Sequence, residues 1–142
     1  MSNKEKEDVL AANKRFYEAL ESGNMELMEE VWVKDSRAKC VHPGWPMLWG
    51  WEAIKQSWIN IFRSGGPTEI KISNVSVEVS EKLAWVTCIE HIGHAVGDQI
   101  RTALAQTTNI YEKHGSQWLI IQHHASVIPM GTFSVPEGET VQ

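Results

Sequence analysis

The sequence has an excess of acidic over basic residues, no long apolar run and little cysteine. Its 13 lysines and arginines are outnumbered by 18 aspartates and glutamates, so the 142-residue chain has a formal net charge of −5. Such a charge argues against general nucleic-acid binding, which requires a basic surface to replace the counterions of phosphates. Since the apolar runs are too short to cross a bilayer, we expect neither nucleic acid nor a membrane as a partner.

Motifs of several other protein classes are also missing. The charged N-terminal residues 1–10 lack the apolar stretch of a signal peptide, so we expect a cytoplasmic protein. Cys40 and Cys88 form no CxxC pair, and free cysteines in a reducing compartment are mostly buried. Because there is no HxH or HExxH spacing, no GxGxxG motif and no phosphate-binding loop, we expect no metal, nucleotide or flavin cofactor.

The first part of the chain has the apolar spacing of helices. Val9, Phe16 and Leu20 fall on one face of a first helix, which Gly23 is expected to end. Asn24 is suited to cap a second, shorter helix. A third helix follows a tryptophan-rich loop, and its apolar positions at helical spacing are Trp51, Ile54, Trp58, Ile61 and Phe62.

Strand periodicity appears first at residues 37–42, where Ala38, Cys40 and His42 share a face and Pro43-Gly44 ends the strand. From residue 70 onward the hydrophobic period is again two, and four further strands joined by short turns are predicted at 70–79, 83–94, 99–111 and 118–127. Helices followed by antiparallel strands predict an α+β fold. We expect one domain at residues 1–128 and a loosely held tail at 129–142.

The longest strands are apolar on both faces. In the strand at 83–94, one phase carries Leu83, Trp85 and Ile89, and the other carries Val86, Cys88 and Ile92. A sheet of this kind needs a cover on each side. The helices can cover one face, and we infer that a second copy of the chain covers the other, giving a homodimer.

The order of these elements resembles the nuclear transport factor 2-like superfamily and, within it, the SnoaL-like group. The likeness spans about residues 5–127 and is carried by FYEALESGN (16–24), CVHPGWPMLWGWEAIKQSW (40–58), LAWVT (83–87) and TTNIYEKHGSQWLIIQHHAS (107–126). It implies a cone-shaped domain, in which a curved, mainly antiparallel sheet wraps around three N-terminal helices and leaves a pocket at the open end. It also implies a homodimer.

This superfamily includes ketosteroid isomerase, scytalone dehydratase, epoxide hydrolases, polyketide cyclases and pure association domains, so the fold alone does not give the function. The isomerase's general base, an aspartate before a proline, corresponds to His42 here. Its oxyanion tyrosine corresponds to Phe16, next to Tyr17, and its oxyanion aspartic acid falls near Thr107. The isomerase set is therefore largely absent, and the Asp-Arg-Asp set of the epoxide hydrolases is not found. The dehydratase uses histidines as acid and base, which this chain can imitate.

The residues with acid–base chemistry are mainly histidines. His42 is the candidate base, because a neutral imidazole in an apolar pocket can accept a proton. The alternative is a structural histidine that caps the Pro43-Gly44 turn. His123 and His124 are adjacent on the last strand, so only one of them can face the pocket. We expect it to be His124, whose strand face mixes apolar and polar groups, and His123 remains the other choice.

Further pocket residues are expected from the first helix, where they are Phe16 and Tyr17, from the strands and from the tryptophan-rich loop. Glu90 lies among apolar neighbours and either orients a histidine or is a sheet-edge or interface charge. Asn109 either binds a ligand or pairs with a neighbouring strand. Rigid aromatics on a loop pinned by proline and glycine make a good lid, so we expect Trp45 or Trp49 at the rim and Trp58 in the core or the pocket floor.

Two functions follow as hypotheses. The first is a dimeric SnoaL-like protein whose apolar pocket binds a small organic ligand, aromatic or polyketide-like. In this hypothesis the protein catalyses proton-transfer isomerisation, dehydration or cyclisation, with His42 as base and His124 and Asn109 as polar partners. The alternative is a non-catalytic ligand-binding or association module.

Overall fold

Residues 3–129 are described by the structure, which is a computed structural model. The predicted tail at 129–142 lies outside the described residues except for Pro129. The helices are α1 (Asn3–Ser22), α2 (Met25–Val31) and α3 (Trp51–Arg63).

The helix ends follow the sequence signals. Gly23, which ends α1, has φ +63°, a left-handed conformation that favours glycine. The Asn24 side chain accepts a hydrogen bond of 3.2 Å from the backbone N–H of Leu27, which confirms it as the cap of α2. Within residues 3–129, no helix is both long and apolar enough to span a membrane.

The strands form one six-stranded sheet with the order β2-β1-β6-β5-β4-β3. Their bounds are β1 (Lys39–Val41), β2 (Leu48–Trp49), β3 (Glu69–Ser80), β4 (Leu83–Val96), β5 (Gln99–His114) and β6 (Gln117–Ile128). Neighbouring strands are antiparallel except for β1 and β6, which are parallel. The α+β class and the mainly antiparallel sheet are as predicted. The two-residue strand β2 was not predicted, because so short a segment has no readable period.

The helices cover one face of the sheet, which we call the inner face. Its core contains several large, almost fully buried side chains: Phe16, Met28, Trp32, Ile54, Trp58, Tyr111 and Ile120. Burial of an apolar side chain of this size stabilises a fold by roughly 1.5–3 kcal/mol. The edge-to-face contacts of Phe16 with Trp32 and Trp58, at centroid distances of 6.4 and 5.9 Å, link α1 to the residue that ends α2 and to α3.

A β-bulge in β6 changes which residues face inward. Tyr111 of β5 pairs with Ile120, whereas the preceding residue Ile110 pairs with Gln122. Ile121 is therefore an extra residue in β6, and the alternation of side chains shifts by one at that point.

The shift brings odd-numbered residues to the inner face in the second half of β6. Before the bulge, Trp118 and Ile120 are buried, and after it His123 and Ala125 are buried. His124 lies on the outer face and is exposed. The prediction that His124 faces the pocket is therefore wrong, because it extended a strict two-residue period from Trp118 through the bulge.

Candidate functional site

A cavity of about 330 Å³ lies between α3 and the inner face of the sheet. Its walls are mostly apolar and include Trp58, Ile61, Ile70 and Ile92, while its polar lining consists of His42, Glu90, His94 and His123. Among the described residues, no lysine or arginine lines it. A larger groove of about 750 Å³ between α1, α2 and β6 contains none of the buried acid–base groups. The smaller cavity is therefore the candidate site.

His42 reaches the cavity from the end of β1. Ala38, Cys40 and His42 are all buried on one face, as the strand alternation predicted. The His42 Nε2 atom lies 2.8 Å from Ser57 Oγ, whose hydroxyl donates to the backbone oxygen of Ile54 at 2.6 Å. Because that hydroxyl has one proton, its oxygen accepts from His42, so Nε2 carries the imidazole proton and Nδ1 keeps a lone pair.

The surroundings of His42 favour its neutral form. Burial lowers the pKa of His42 to about 4. Its ring packs edge-on against Trp45 and Trp58, at centroid distances of 4.8 and 4.5 Å. The imidazole binds α3 through Ser57 rather than capping the Pro43-Gly44 turn, where the hydrogen bond of 2.8 Å joins the Trp45 N–H to the His42 backbone oxygen.

His123 is the histidine of β6 that lines the cavity. Its Nδ1 atom lies 2.6 Å from Asn109 Oδ1, and both side chains are buried. Burial, together with the neighbouring His42 and His124, lowers the pKa of His123 well below its ordinary value. Asn109 therefore serves a side chain on the next strand rather than facing the cavity itself.

Among residues 3–129, Glu90 is the one acidic residue in the cavity wall. It lies on β4, a strand flanked by β3 and β5, and its carboxyl group is almost fully buried, so the alternative of a sheet-edge charge is wrong. Burial raises the pKa of Glu90 to about 7, although the hydrogen bond of 2.7 Å from the Tyr17 hydroxyl opposes that rise. The Glu90 Oε2 atom is 4.0 Å from His123 Nε2.

A buried hydrogen-bond network on the side away from the cavity fixes the side chains of Glu90 and His123. Asn109 Nδ2 donates to Asn13 Oδ1 at 3.0 Å and to the Tyr17 hydroxyl oxygen at 3.1 Å. Asn13 Oδ1 also accepts from the Tyr111 hydroxyl at 2.7 Å. Asn13 and Ser57 were not among the residues predicted from the sequence. Both lie within the apolar stripe of a helix, and a polar residue in such a stripe is the signal that could have found them.

The family model of the SnoaL-like domain matches residues 9–131. The chain belongs to the SnoaL-like domain family. A structure of a proposed dehydratase of the nuclear transport factor 2-like family from Streptomyces avermitilis is 30% identical, with a TM-score of 0.79, and the match covers 90% of this chain and 99% of that one. The predicted family and fold are thereby confirmed.

Two other relatives of this SnoaL-like domain have different descriptions. A proposed calcium/calmodulin-dependent protein kinase type II association domain from Thiobacillus denitrificans is 28% identical, with a TM-score of 0.73, over 84% of this chain and 94% of that one. The F-box protein SKIP8 of Arabidopsis thaliana is 22% identical over 120 residues, 84% of this chain and 49% of that protein. The chain thus spans about half the length of this curated relative.

The tryptophans of this SnoaL-like domain lie in different surroundings. Trp45 lines the cavity and is 41% exposed, whereas Trp49 is 67% exposed, does not line the cavity and has the Lys39 ammonium 5.1 Å from its ring centre. Trp51 packs in the core against Trp32. Of the two rim candidates, only Trp45 is at the cavity.

Trp58 and Phe16 occupy the inner part of the site. Trp58 is a wall of the cavity and is 1% exposed, and its indole N–H has no hydrogen-bond partner among residues 3–129. A buried donor without a partner costs about 1–3 kcal/mol, and the indole N–H of Trp118, which does not line the cavity, is unpartnered in the same way. Phe16 is fully buried behind the wall, 4.9 Å from the His123 ring, and does not line the cavity. Tyr17 does not line it either, and its hydroxyl binds Glu90 from behind the wall.

Within residues 3–129, no group of three or more histidines, cysteines, aspartates or glutamates is arranged to hold a metal ion. Cys40 and Cys88 are both buried and unpaired. Burial raises the pKa of both thiols, that of Cys88 to about 11, so neither is a reactive thiolate at neutral pH.

Proposed function

We propose that this SnoaL-like protein binds a small, neutral organic molecule, aromatic or polyketide-like, in the 330 Å³ cavity and catalyses proton transfer on it. The cavity volume is at the small end of the range for ligand sites and suits a molecule of one or two rings. The mainly apolar walls favour a ligand without charge. Glu90 would repel an anion, and no described lysine or arginine of the wall would attract one.

His42 is the proposed base, and one observation carries this role. Its Nε2 proton is committed to Ser57, whose own proton is committed to the Ile54 backbone oxygen. The Nδ1 atom lies 3.9 Å from Cys40 Sγ, and because a thiol is only a weak donor, the Nδ1 lone pair remains available to take a proton. Glu90 is the proposed acid, because a carboxyl group with a pKa of about 7 is partly protonated at neutral pH and can return a proton.

A base and an acid in one apolar cavity suit isomerisation, dehydration or cyclisation. Each of these reactions removes a proton from one atom of the substrate and delivers a proton to another, and none requires a redox cofactor. The 30% identity to a proposed dehydratase from Streptomyces avermitilis supports dehydration within this group. The proposed enzyme thus differs from ketosteroid isomerase in using an imidazole where that enzyme has an aspartate.

Proton abstraction can be tested without knowledge of the natural substrate. The enolisable bicyclic ketone 2-tetralone is incubated with the protein in deuterated buffer, and uptake of deuterium beside the carbonyl is followed by NMR. We expect the wild-type protein to accelerate exchange. The exchange rate with the His42→Gln variant should be about 100-fold lower than with the wild-type protein, because one general base typically contributes a factor of this size.

The matched control is His124→Gln, which changes an exposed histidine on the outer face and should leave the exchange rate unchanged. Circular dichroism of each variant establishes that the fold is retained. Equal exchange rates in the wild-type protein and in a folded His42→Gln variant would remove His42 as the base.

The second candidate function is association, and the outer face of the sheet favours it. Trp85 and Leu83 are exposed on this face, next to half-buried Ile89 and Ile110. An apolar patch on a sheet face is typical of a surface covered by another chain. The similarity to an association domain from Thiobacillus denitrificans supports association between copies of this chain, and the apolar patch makes the outer face the proposed surface of a homodimer.

Light scattering after gel filtration tests the dimer. We expect a mass of about twice 16.1 kDa for the wild-type chain and a monomer for Trp85→Glu. Trp49→Glu alters an exposed tryptophan on β2 and serves as the control that should remain dimeric. A wild-type chain that is monomeric at micromolar concentration contradicts this association.

A further inference from the structure

The inner end of the cavity contains a gap between two fixed polar groups, Glu90 and His123. We propose that they form a hydroxyl-binding pair, in which a ligand hydroxyl donates to His123 Nε2 and accepts from the Glu90 carboxyl group, and that Asn109 is the positioning residue that sets this polarity. The proposal rests on the proposed function of the cavity as a ligand site. It adds a requirement for a hydroxyl group to the class of ligand.

The polarity follows from a chain of hydrogen bonds that starts at Glu90. The Tyr17 hydroxyl has one proton and donates it to Glu90 Oε2 at 2.7 Å. Toward Asn109, 3.1 Å away, the Tyr17 oxygen can therefore only accept, so the Asn109 amide nitrogen must face it. Asn13 Oδ1, which already accepts from a tyrosine hydroxyl, fixes the same nitrogen from the other side at 3.0 Å.

The orientation of Asn109 determines the tautomer of His123. With its nitrogen turned to Tyr17 and Asn13, Asn109 presents its carbonyl oxygen to His123 Nδ1 at 2.6 Å. Nδ1 must therefore carry the imidazole proton, and Nε2 keeps its lone pair. This lone-pair nitrogen is the one that lies 4.0 Å from Glu90 Oε2.

The distance between the two groups fits one bridging oxygen. At 4.0 Å, His123 Nε2 and Glu90 Oε2 are too far apart for a direct hydrogen bond. A single oxygen atom can lie about 2.8 Å from each of them, because their separation is smaller than the sum of two such bonds. A hydroxyl meets the requirement on both sides, since it offers one proton to the imidazole and a lone pair to the carboxyl group. An ether or a carbonyl oxygen can satisfy only the carboxyl side.

The tautomer is tested on the ligand-free protein. Nitrogen-15 NMR of histidine-labelled protein should show His123 with a protonated Nδ1 and an unprotonated Nε2 at neutral pH. In Asn109→Leu the acceptor is lost, so the Nδ1–H population of His123 should fall, whereas the His124 signals should not change. A proton on Nε2 of His123 in the wild-type protein would overturn the proposed polarity.

The hydroxyl preference is tested with two probes of the same ring system, 2-naphthol and 2-methoxynaphthalene, titrated at pH 6 with tryptophan fluorescence as the readout. One additional hydrogen bond corresponds to about a 10-fold difference in affinity, so 2-naphthol should bind about 10-fold more tightly. His123→Leu should abolish the difference, and the outer-face control His124→Leu should retain it.

The outcomes separate this proposal from the proposed function. If both probes bind with equal affinity, the hydroxyl pair is wrong while the cavity remains a ligand site. If neither probe binds, the proposed function fails for bicyclic aromatic ligands, and the hydroxyl pair fails with it. If His123→Leu does not fold, the tautomer measurement on the wild-type protein still decides the polarity.

Discussion

Trp32 and Trp58 lie in two regions beneath the same sheet, and they differ in whether the indole N–H has a hydrogen-bond acceptor. Both are almost fully buried, with exposed fractions of 0% and 1%, and both pack edge-on against Phe16. The Trp32 N–H donates to Met28 Sδ at 3.3 Å, whereas the Trp58 N–H has no partner within the described part of the chain. The region around Trp32 is solid core, and the region around Trp58 is a cavity wall.

The different packing around these two tryptophans shows how one fold contains both a stable core and a candidate ligand site. Around Trp32, the neighbouring side chains fill the space, and the indole satisfies its single donor within its own helix region. Around Trp58, the side chains border a cavity whose wall includes buried histidines and a carboxyl group, and the indole N–H itself has no hydrogen-bond partner among residues 3–129. Such unsatisfied groups cost stability, and native proteins retain them mainly at functional sites.

The largest expected effect comes from opening the solid region. Trp32→Ala should lower the free energy of unfolding by about 4 kcal/mol, because it removes a fully buried indole and leaves a void. Urea unfolding monitored by circular dichroism measures this change. Trp49→Ala, at a 67% exposed position, is the control and should change stability by less than about 0.5 kcal/mol. A loss below about 1 kcal/mol for Trp32→Ala would mean that this region is not close-packed.

The next largest effect is the contribution of the Glu90 carboxyl group to the pH dependence of the free energy of unfolding. Burial raises the pKa of Glu90 from 4.5 to about 7, so the folded state binds this proton more tightly than the unfolded state does. The stabilising contribution of Glu90 should therefore be lost as the pH rises from about 4.5 to about 7, whereas the lowered pKa values of His42 and His123 act in the opposite direction in both the wild-type protein and a Glu90 variant. Glu90→Gln cannot ionise, and it should be more stable than the wild-type protein by roughly 3 kcal/mol at pH 8 but by only about 1 kcal/mol at pH 5.

Urea unfolding of both proteins at the two pH values isolates this contribution. The titratable groups around Glu90 are Tyr17, Cys40, Cys88 and His123. They stay neutral in the folded state over this range, because their pKa values are raised or, for His123, lowered by burial. A stability difference that does not depend on pH would contradict the raised pKa of Glu90.

The sequence allowed the elements and one part of the site to be predicted. Hydrophobic periods of 3.6 and 2 identified the three helices and the four long strands, and the alternation of Ala38, Cys40 and His42 identified which face of β1 is buried. These features are local, so a single segment contains the information. The parallel pairing of β1 with β6 is a contact between distant segments and has no local signal.

The choice between His123 and His124 shows where local reasoning ends. The apolar residues Trp118, Ile120 and Ile121 are compatible with either phase of the strand, so the sequence contains no mark of the bulge. The extra residue at 121 is defined only by the register against β5. One inserted residue exchanges the faces of every side chain that follows, and thereby decides which histidine reaches the cavity.

The smallest expected effect on stability is at the mouth of the cavity, where Trp45 lies between the close-packed core and the solvent. Trp45 lines the cavity and packs on His42, yet 41% of its surface is exposed. Trp45→Ala should therefore reduce the free energy of unfolding by only about 1 kcal/mol, since much of the indole is already in water. Its effect on ligand binding should be larger in proportion, because the aromatic cover of the cavity is lost.

The measurement for Trp45→Ala pairs urea unfolding with titration of 2-naphthol, and Trp49→Ala is the matched control on the same loop region. We expect about a 10-fold weaker affinity for Trp45→Ala and no change for Trp49→Ala, which lies away from the cavity. Equal affinity in the two variants would show that the rim does not contribute to binding. A large loss of stability in Trp45→Ala would instead show that Trp45 belongs to the close-packed core and not to the rim of the cavity.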